Sequence, residues 1–299
     1  MKKNIIAGVV LARSGSKGVK NKNLLKINGI YLTYKAISLA LANKKIDVVI
    51  FSSDSKKILN TYPEHKRVFK IIRSKKLSKD NTPSVDVLQN CIKIFEDANP
   101  NKKIKYLVGL DPTAPLRNKN DISKSIKYFE KKKPDVLISV HKCQHNPYFS
   151  MLEKNGKFFK LSKSFKGKQD PGSRQDVPKV YEINTIVWIH SRKIIDLKKR
   201  VSNKTLVYEF PYDRSIDIDT YEDLFKSLKV TSAGTPTVTV TNNSITTIKT
   251  DALTANQTEE LLTVPLVVEG GKVLTVASSS ADSFDVAISY LNIRKDKVD

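Results

Sequence analysis

The sequence predicts an α/β fold with a mostly parallel sheet, followed by a small C-terminal β-rich module. Two observations carry that prediction. Short apolar runs alternate with helical patterns up to about residue 230, and the charge balance reverses beyond that point.

Strands are predicted at residues 5–12, 47–51, 68–72, 105–110, 135–140 and 183–190, where apolar residues run together between turn signals. Helical patterns fall between them, at 31–42, 55–62, 84–98, 119–132 and 221–229. Strands alternating with helices of this length imply a sheet covered on both faces. In such folds ligands sit beyond the carboxyl ends of the strands, where the strand order reverses. The functional residues should therefore follow the strands directly.

The tail reads differently. Residues 231–299 hold five Lys/Arg against eight Asp/Glu, whereas the first 230 hold 48 against 22. The stretch 231–236 reads as a linker. Residues 237–241 then alternate threonine and valine, a period-two strand signal. Further strands are expected at 244–249, 262–268, 272–277 and 285–291, with a hairpin turn at Gly270-Gly271. We therefore expect domains at 1–229 and 230–299. The second has no histidine or cysteine, so no catalytic set is read there. An assembly or interaction role, partner unknown, is its expected use.

Composition narrows the function classes. A 299-residue chain with 39% hydrophobic residues can bury a substantial core. No run reaches the ~20 apolar residues that span a bilayer. The basic start before residue 5 faintly resembles a signal peptide, but its apolar run is short and ends at Arg13, so a buried first strand is expected instead. Two cysteines, Cys91 and Cys143, are too few for a disulfide framework and fit reduced thiols in a cytoplasmic protein. The net charge of +23 invites a nucleic-acid reading, yet only nine of the 53 basic residues are arginine and no nucleic-acid motif is present. A lysine-rich surface attracting small anions is expected, with neither nucleic acid nor membrane as partner.

Four motifs carry chemistry. The first, Leu11-Ala12-Arg13-Ser14-Gly15-Ser16-Lys17-Gly18, continues to Lys22-Asn23 directly after the first strand. Its glycines let a ligand approach the backbone, and Arg13, Lys17 and Lys22 can meet phosphate oxygens. It is neither a Walker A loop nor GxGxxG. The second, Asp111-Pro112-Thr113-Ala114-Pro115-Leu116-Arg117, closes a buried strand with two stiffening prolines. The third is Asp217-Ile218-Asp219-Thr220. In an extended segment its two carboxylates share one side, which suits Mg²⁺, and a helix cap at Asp219 or Thr220 is compatible with that role because a cap need not use both carboxylates. The fourth, Ser173-Arg174-Gln175, leads through Pro178 to Asn184. Arg174 offers a fork for a carboxylate.

Together, over residues 4–229, these motifs resemble the acylneuraminate cytidylyltransferases, or CMP-sialic acid synthetases. The resemblance implies a Rossmann-like nucleotidyltransferase fold and a homodimer, with a segment at about 146–182 reaching the partner. It implies transfer of CMP from CTP to a nine-carbon sugar acid, releasing pyrophosphate. Leu11, Ala12, Arg13, Ser16, Lys22 and Arg73 would bind the nucleotide. Asp111, Arg174, Gln175 and Asn184 would face the sugar, and Asp217 and Asp219 would hold Mg²⁺. Arg13, Lys22, Asp217 and Asp219 form the expected catalytic set.

The sequence departs from the family where Asp111 replaces a usual glutamine. An ionised carboxylate only accepts hydrogen bonds, so legionaminic, pseudaminic or other nonulosonic acids compete with N-acetylneuraminate as substrate. Thr185-Ile186-Val187-Trp188 also stands where Gly-Ala-Ile-Tyr is usual. A Kdo-type sugar nucleotidyltransferase is the neighbouring reading, and a noncatalytic binding or structural protein the distant one.

Overall fold

A computed structural model describes residues 2–16, 18–27, 29–164, 173, 175–220, 223, 237–242, 246–252 and 274–278. Contacts divide the chain into two units, residues 1–26 with 30–217, and 27–29 with 218–299.

The first unit is built on a seven-stranded sheet. In chain order its strands are β1 (Lys3–Leu11), β4 (Val48–Ser53), β5 (Val68–Ile72), β6 (Lys102–Gly109), β7 (Val136–Lys142), β10 (Tyr181–Ser191) and β11 (Thr205–Glu209). Two short strands, β2 (Lys26–Ile27) and β3 (Ile30–Tyr31), follow the loop after β1. A separate exposed hairpin joins β8 (Leu152–Asn155) to β9 (Phe158–Leu161). The helices are α1 (Leu32–Leu41), α2 (Lys56–Leu59), α3 (Ser84–Ala98), α4 (Lys119–Lys132) and α5 (Arg192–Asp196).

Spatial order across the sheet is β11-β7-β10-β6-β1-β4-β5. Every neighbouring pair is parallel except those of β10, which runs antiparallel to both β6 and β7. The expected mostly parallel α/β sheet is present. Successive strand residues point to opposite faces, so each central strand feeds two cores. On one face Val10, Val49, Phe51 and Val108 meet Ala36, Ile37 and Ala40 of α1 and Ile122, Ile126 and Phe129 of α4. On the other, Ala7, Val9, Ile50 and Leu107 meet Leu88, Cys91, Ile92 and Phe95 of α3 and Ile194 and Ile195 of α5. The result is three layers.

Local sequence explains the helices. α3 buries Leu88, Cys91, Ile92 and Phe95, one stripe at helical spacing. α4 begins with a capping box, in which Asn118 accepts from the Asp121 N–H and Asp121 accepts from the Asn118 N–H. It ends at Lys133, in the left-handed region at φ 51°.

The chain steps from β1 outward to β4 and β5, then returns through α3 to β6 on the other side of β1. The order therefore reverses between β1 and β6. The loops leaving those two strands meet at the place where such sheets bind ligands.

In the second unit β12 (Thr237–Asn242) pairs antiparallel with β13 (Thr246–Ala252) and with β14 (Leu274–Ser278). The strands expected near 237, 244 and 272 correspond to these three. Those expected at 262–268 and 285–291, the linker and the glycine turn lie outside the described residues, as does most of the helix expected at 221–229.

Candidate active site

The loop after β1 is fixed from within and from β4. Asn23, buried, donates through Nδ2 to the Arg13 carbonyl at 2.9 Å and so closes the loop on itself. Asn21 takes left-handed angles (φ 56°) before the short helical turn Lys22–Leu24. Ser14 donates from both its N–H and its hydroxyl to the two oxygens of Asp54, each at 2.8 Å. Asp54 stands just beyond β4. A Cβ added to Gly15 would meet nothing, and its φ is not in the left-handed region. The glycine is therefore not required for a turn, and the space above it is open to a ligand.

Arg13 forms an ion pair with Asp80. Arg73 is buried at the end of β5, and its backbone N–H donates to the Ser53 carbonyl at 2.7 Å. Burial lowers the Arg73 pKa, Asp54 and Cys91 oppose that shift, and neighbouring Arg13 adds to it. The two arginines thus lie within electrostatic reach of each other at the ends of β1 and β5.

The loop after β6 carries the second group. Asp111 is partly buried, and its Oδ2 accepts from the indole N–H of Trp188 at 3.2 Å. Burial pushes its carboxyl up to about 6; Arg117, the indole N–H and Lys22 pull it down, and Asp217 pushes it further up. Lys22 and Asp217 therefore both act on one carboxyl, from opposite ends of the sequence. This joins the first and third motifs around Asp111.

Arg117 is a buried staple. Its guanidinium donates to the carbonyls of Asp111 (2.7 Å), Thr185 (2.8 Å) and Ile186. Burial lowers its pKa to about 10, against the pull of Asp111, Asp121 and Asp217, so it remains a cation at neutral pH. The carbonyls it holds on β10 lie where that strand slips register against β7, between Ile183 and Trp188. Side chains satisfy the backbone groups the ladder gives up there. Ser139 Oγ accepts from the Val187 N–H at 3.0 Å and donates to the Asn184 carbonyl at 3.2 Å. Asn184 Oδ1 accepts from the Ile186 N–H at 3.2 Å.

Asn184 is buried, and its Nδ2 donates to Ser215 Oγ at 3.0 Å. Ser215 in turn donates to the Pro211 carbonyl at 2.8 Å. Its amide is thus committed to the bulge and to the segment that leads into Asp217. Gln175 is exposed on a loop, and Arg174 lies outside the described residues. Ser16 is partly exposed; Leu11 and Ala12 close the end of β1, where the Ala12 N–H donates to the Ser52 carbonyl at 3.0 Å.

Asp217 is partly buried, Ile218 is buried and Asp219 is exposed. Beyond them Thr220 and Asp223 cap each other: the Thr220 N–H donates to Asp223 Oδ2 at 2.8 Å and the Asp223 N–H to Thr220 Oγ1 at 3.2 Å. The cap read from sequence at this point is present.

Sequence reasoning assigned no role to Asp54, Asp80 or Trp188, naming Trp188 only within a stretch that departs from the family pattern. Asp54 could have been found, since a polar run, Ser52-Ser53-Asp54-Ser55, closes a buried strand. Trp188 could not, because its link to Asp111 depends on the pairing of β10 with β6.

Residues 7–247 match the family model described as Cytidylyltransferase. The chain is 30% identical over 215 residues to CMP-N,N'-diacetyllegionaminic acid synthase of Campylobacter jejuni, covering 72% of this chain and 89% of that protein. It is 26% identical over 218 residues to N-acylneuraminate cytidylyltransferase of Streptococcus agalactiae, covering 72% of this chain and 50% of that one. The chain belongs to the acylneuraminate cytidylyltransferase family. This cytidylyltransferase is accordingly a nucleotidyltransferase enzyme. It is also 31% identical over 216 residues to post-translational flagellin modification protein B of Campylobacter coli, covering 72% of this chain and 89% of that one. Its fold is shared with a CMP:2-keto-3-deoxy-manno-octonic acid synthetase solved with CTP, at 14% identity and a TM-score of 0.50 over 75% of this chain and 95% of that one.

Proposed function

We propose that this cytidylyltransferase transfers CMP from CTP to a sialic-acid-like nonulosonic acid and releases pyrophosphate. The observation that carries the reading is the convergence of Lys22 and Asp217 on Asp111, beyond the strands where the sheet order reverses. The names of the relatives, which specify N-acylneuraminate and N,N'-diacetyllegionaminic acid, support a nine-carbon sugar acid as acceptor.

In this reaction the anomeric hydroxyl of the sugar attacks the α-phosphorus. The bond to the bridging oxygen breaks, pyrophosphate leaves and the hydroxyl proton is released. Such chemistry needs positioning and charge neutralisation more than covalent catalysis. Lys22 and Arg13 supply positive charge from the loop after β1, and Arg73 adds to it from the end of β5. Leu11, Ala12 and Ser16 line the backbone beside the nucleotide. Arg174 and Gln175 serve the sugar's carboxylate side. Asp111 faces its polar groups, and Asn184 contributes by holding the segment before Asp217.

The donors present fit Mg²⁺. Asp217 and Asp219 are hard oxygen donors two residues apart, and Mg²⁺ commonly takes one or two carboxylates and completes its shell with phosphate oxygens and water. When bound, the ion would neutralise charge on the phosphates.

The β8–β9 hairpin supports a homodimer. Met151, Leu152, Phe158 and Phe159 are exposed on it, within the segment expected to reach the partner. We place the enzyme in the cytoplasm, where CTP is supplied; among the described residues no helix is long and apolar enough to cross a membrane.

The test is pyrophosphate release by the purified chain with CTP against a panel of nonulosonic acids. Release is expected with at least one of them, abolished by chelating Mg²⁺ and reduced by about 10³-fold or more in Asp219→Ala. Release that survives chelation would remove the metal from the account.

A further inference from the structure

Trp188 is the only tryptophan of the chain, and no motif of the sequence assigns it a role. It is paired across the ladder with Gly109, the last residue of β6. The indole occupies the space a side chain at 109 would need, since a Cβ built there falls 1.7 Å from Cε2 of the ring. Gly109 is thus required by the indole, not by its own backbone angles. His190, two residues along β10, braces the ring edge-on at 5.0 Å between centroids. The indole N–H then meets Oδ2 of Asp111, two residues past Gly109, at 3.2 Å.

That bond determines how the carboxylate is presented. Left alone, a carboxylate at the mouth of a strand turns about its Cβ–Cγ bond. With Oδ2 engaged by the indole, the orientation of Oδ1 is fixed, and Oδ1 makes no hydrogen bond among the described residues. An ionised carboxylate accepts and does not donate, so Oδ1 suits an O–H or N–H and repels another carboxylate.

We infer that Trp188 is a positioning residue for sugar specificity, aiming Asp111 to accept a hydrogen bond from a hydroxyl or amide N–H of the sugar acid. Gly109 makes room for it and His190 steadies it. The inference rests on the cytidylyl transfer proposed above, and it adds a determinant that acts on the sugar and not on CTP.

The test uses the full chain as wild type, Trp188→Phe, Asp111→Asn and the double variant, with thermal melts to show that each folds. Trp188→Phe should raise KM for the sugar acid about fivefold and Asp111→Asn roughly tenfold or more, with KM for CTP moved by less than about twofold. Because the indole acts through the carboxylate, the double variant should be no worse than Asp111→Asn. Additive effects, or equal rises in both KM values, would overturn the inference. A readout without turnover comes from the lone tryptophan, whose emission should differ between wild type and Asp111→Asn with no ligand present. Superimposable spectra would show that the two side chains do not interact, and the inference would fall. The wild type separates the two levels of the account. If it turns over no sugar acid, the proposed function fails and this inference with it. If it turns over normally and Trp188→Phe leaves KM for the sugar unmoved, only this inference fails.

Discussion

At the scale of single residues, Asp111 has the most consequential environment. Burial raises its carboxyl to about 6, despite the pull of Arg117, the Trp188 N–H and Lys22, and Asp217 adds to the rise. In an unfolded chain the same group titrates near 3.9. The folded state therefore holds the proton more tightly than the unfolded state. Its contribution to stability is fully present below about pH 4 and is lost as pH rises through about 6. Asp111→Asn has no such loss. The stability of the variant relative to wild type should rise between about pH 4 and pH 6 and stay level above pH 7, as thermal melts across that range would show. A flat difference would mean that the carboxyl is not shifted. If the ionised form receives the sugar, kcat/KM for the sugar acid should climb through the same interval in the wild type.

Asp111 was legible from sequence because it follows a buried apolar run and departs from a family pattern. Lys22 and the Asp217-Ile218-Asp219 stretch were legible for the same kind of reason, local position after a strand or local alternation. What could not be read was which neighbours tune them. Arg117 looked like the last residue of a loop motif, and only the packing of that loop on β10 reveals a buried cation holding three carbonyls.

At the scale of elements, the irregular stretch of β10 connects the parts of the site. Arg117, Ser139 and Asn184 satisfy the backbone groups between Ile183 and Trp188, and Asn184 carries the connection on to Ser215. Arg117→Met would leave buried carbonyls without donors and remove a cation from beside Asp111, Asp121 and Asp217. A loss of about 3 kcal/mol is expected in urea unfolding. Asn184→Ala should cost about 1–2 kcal/mol. If its work is to hold the segment before Asp217, its kcat should fall more than its KM for the sugar rises. A rise confined to the sugar KM would instead make Asn184 a direct sugar ligand, the role implied by family resemblance.

β11 and the short α5 were missed, whereas the other six strands of the central sheet and helices α1 to α4 were predicted to within a few residues, because burial on both faces writes itself as continuous apolar runs. The direction of β10 was not, since an apolar run reads alike in either direction. The β8–β9 hairpin escaped prediction for the opposite reason. Its large apolar residues are exposed, so it lacks the pattern that burial imposes.

At the scale of the molecule, the surplus of positive charge up to residue 230 suits the two anionic substrates proposed above. The tail beyond is acidic overall. We expect the chain ending at residue 230 to retain turnover within about twofold if the tail serves assembly alone. Loss of turnover with retained folding would assign the tail a part in the site. Sedimentation of the full chain should give a dimer, and Phe158→Asp with Phe159→Asp should shift it to monomer. A dimer unaffected by both changes would place the interface elsewhere.

The central claim is that one pocket brings a cytidine nucleotide and an acidic sugar together for transfer at the α-phosphorus. Phosphorus NMR of a single reaction mixture tests it most directly. The account predicts loss of the CTP resonances, equimolar appearance of pyrophosphate and one new phosphodiester signal from CMP joined to the sugar. Appearance of inorganic phosphate with CDP, or pyrophosphate with free CMP and no diester throughout the time course, would contradict it.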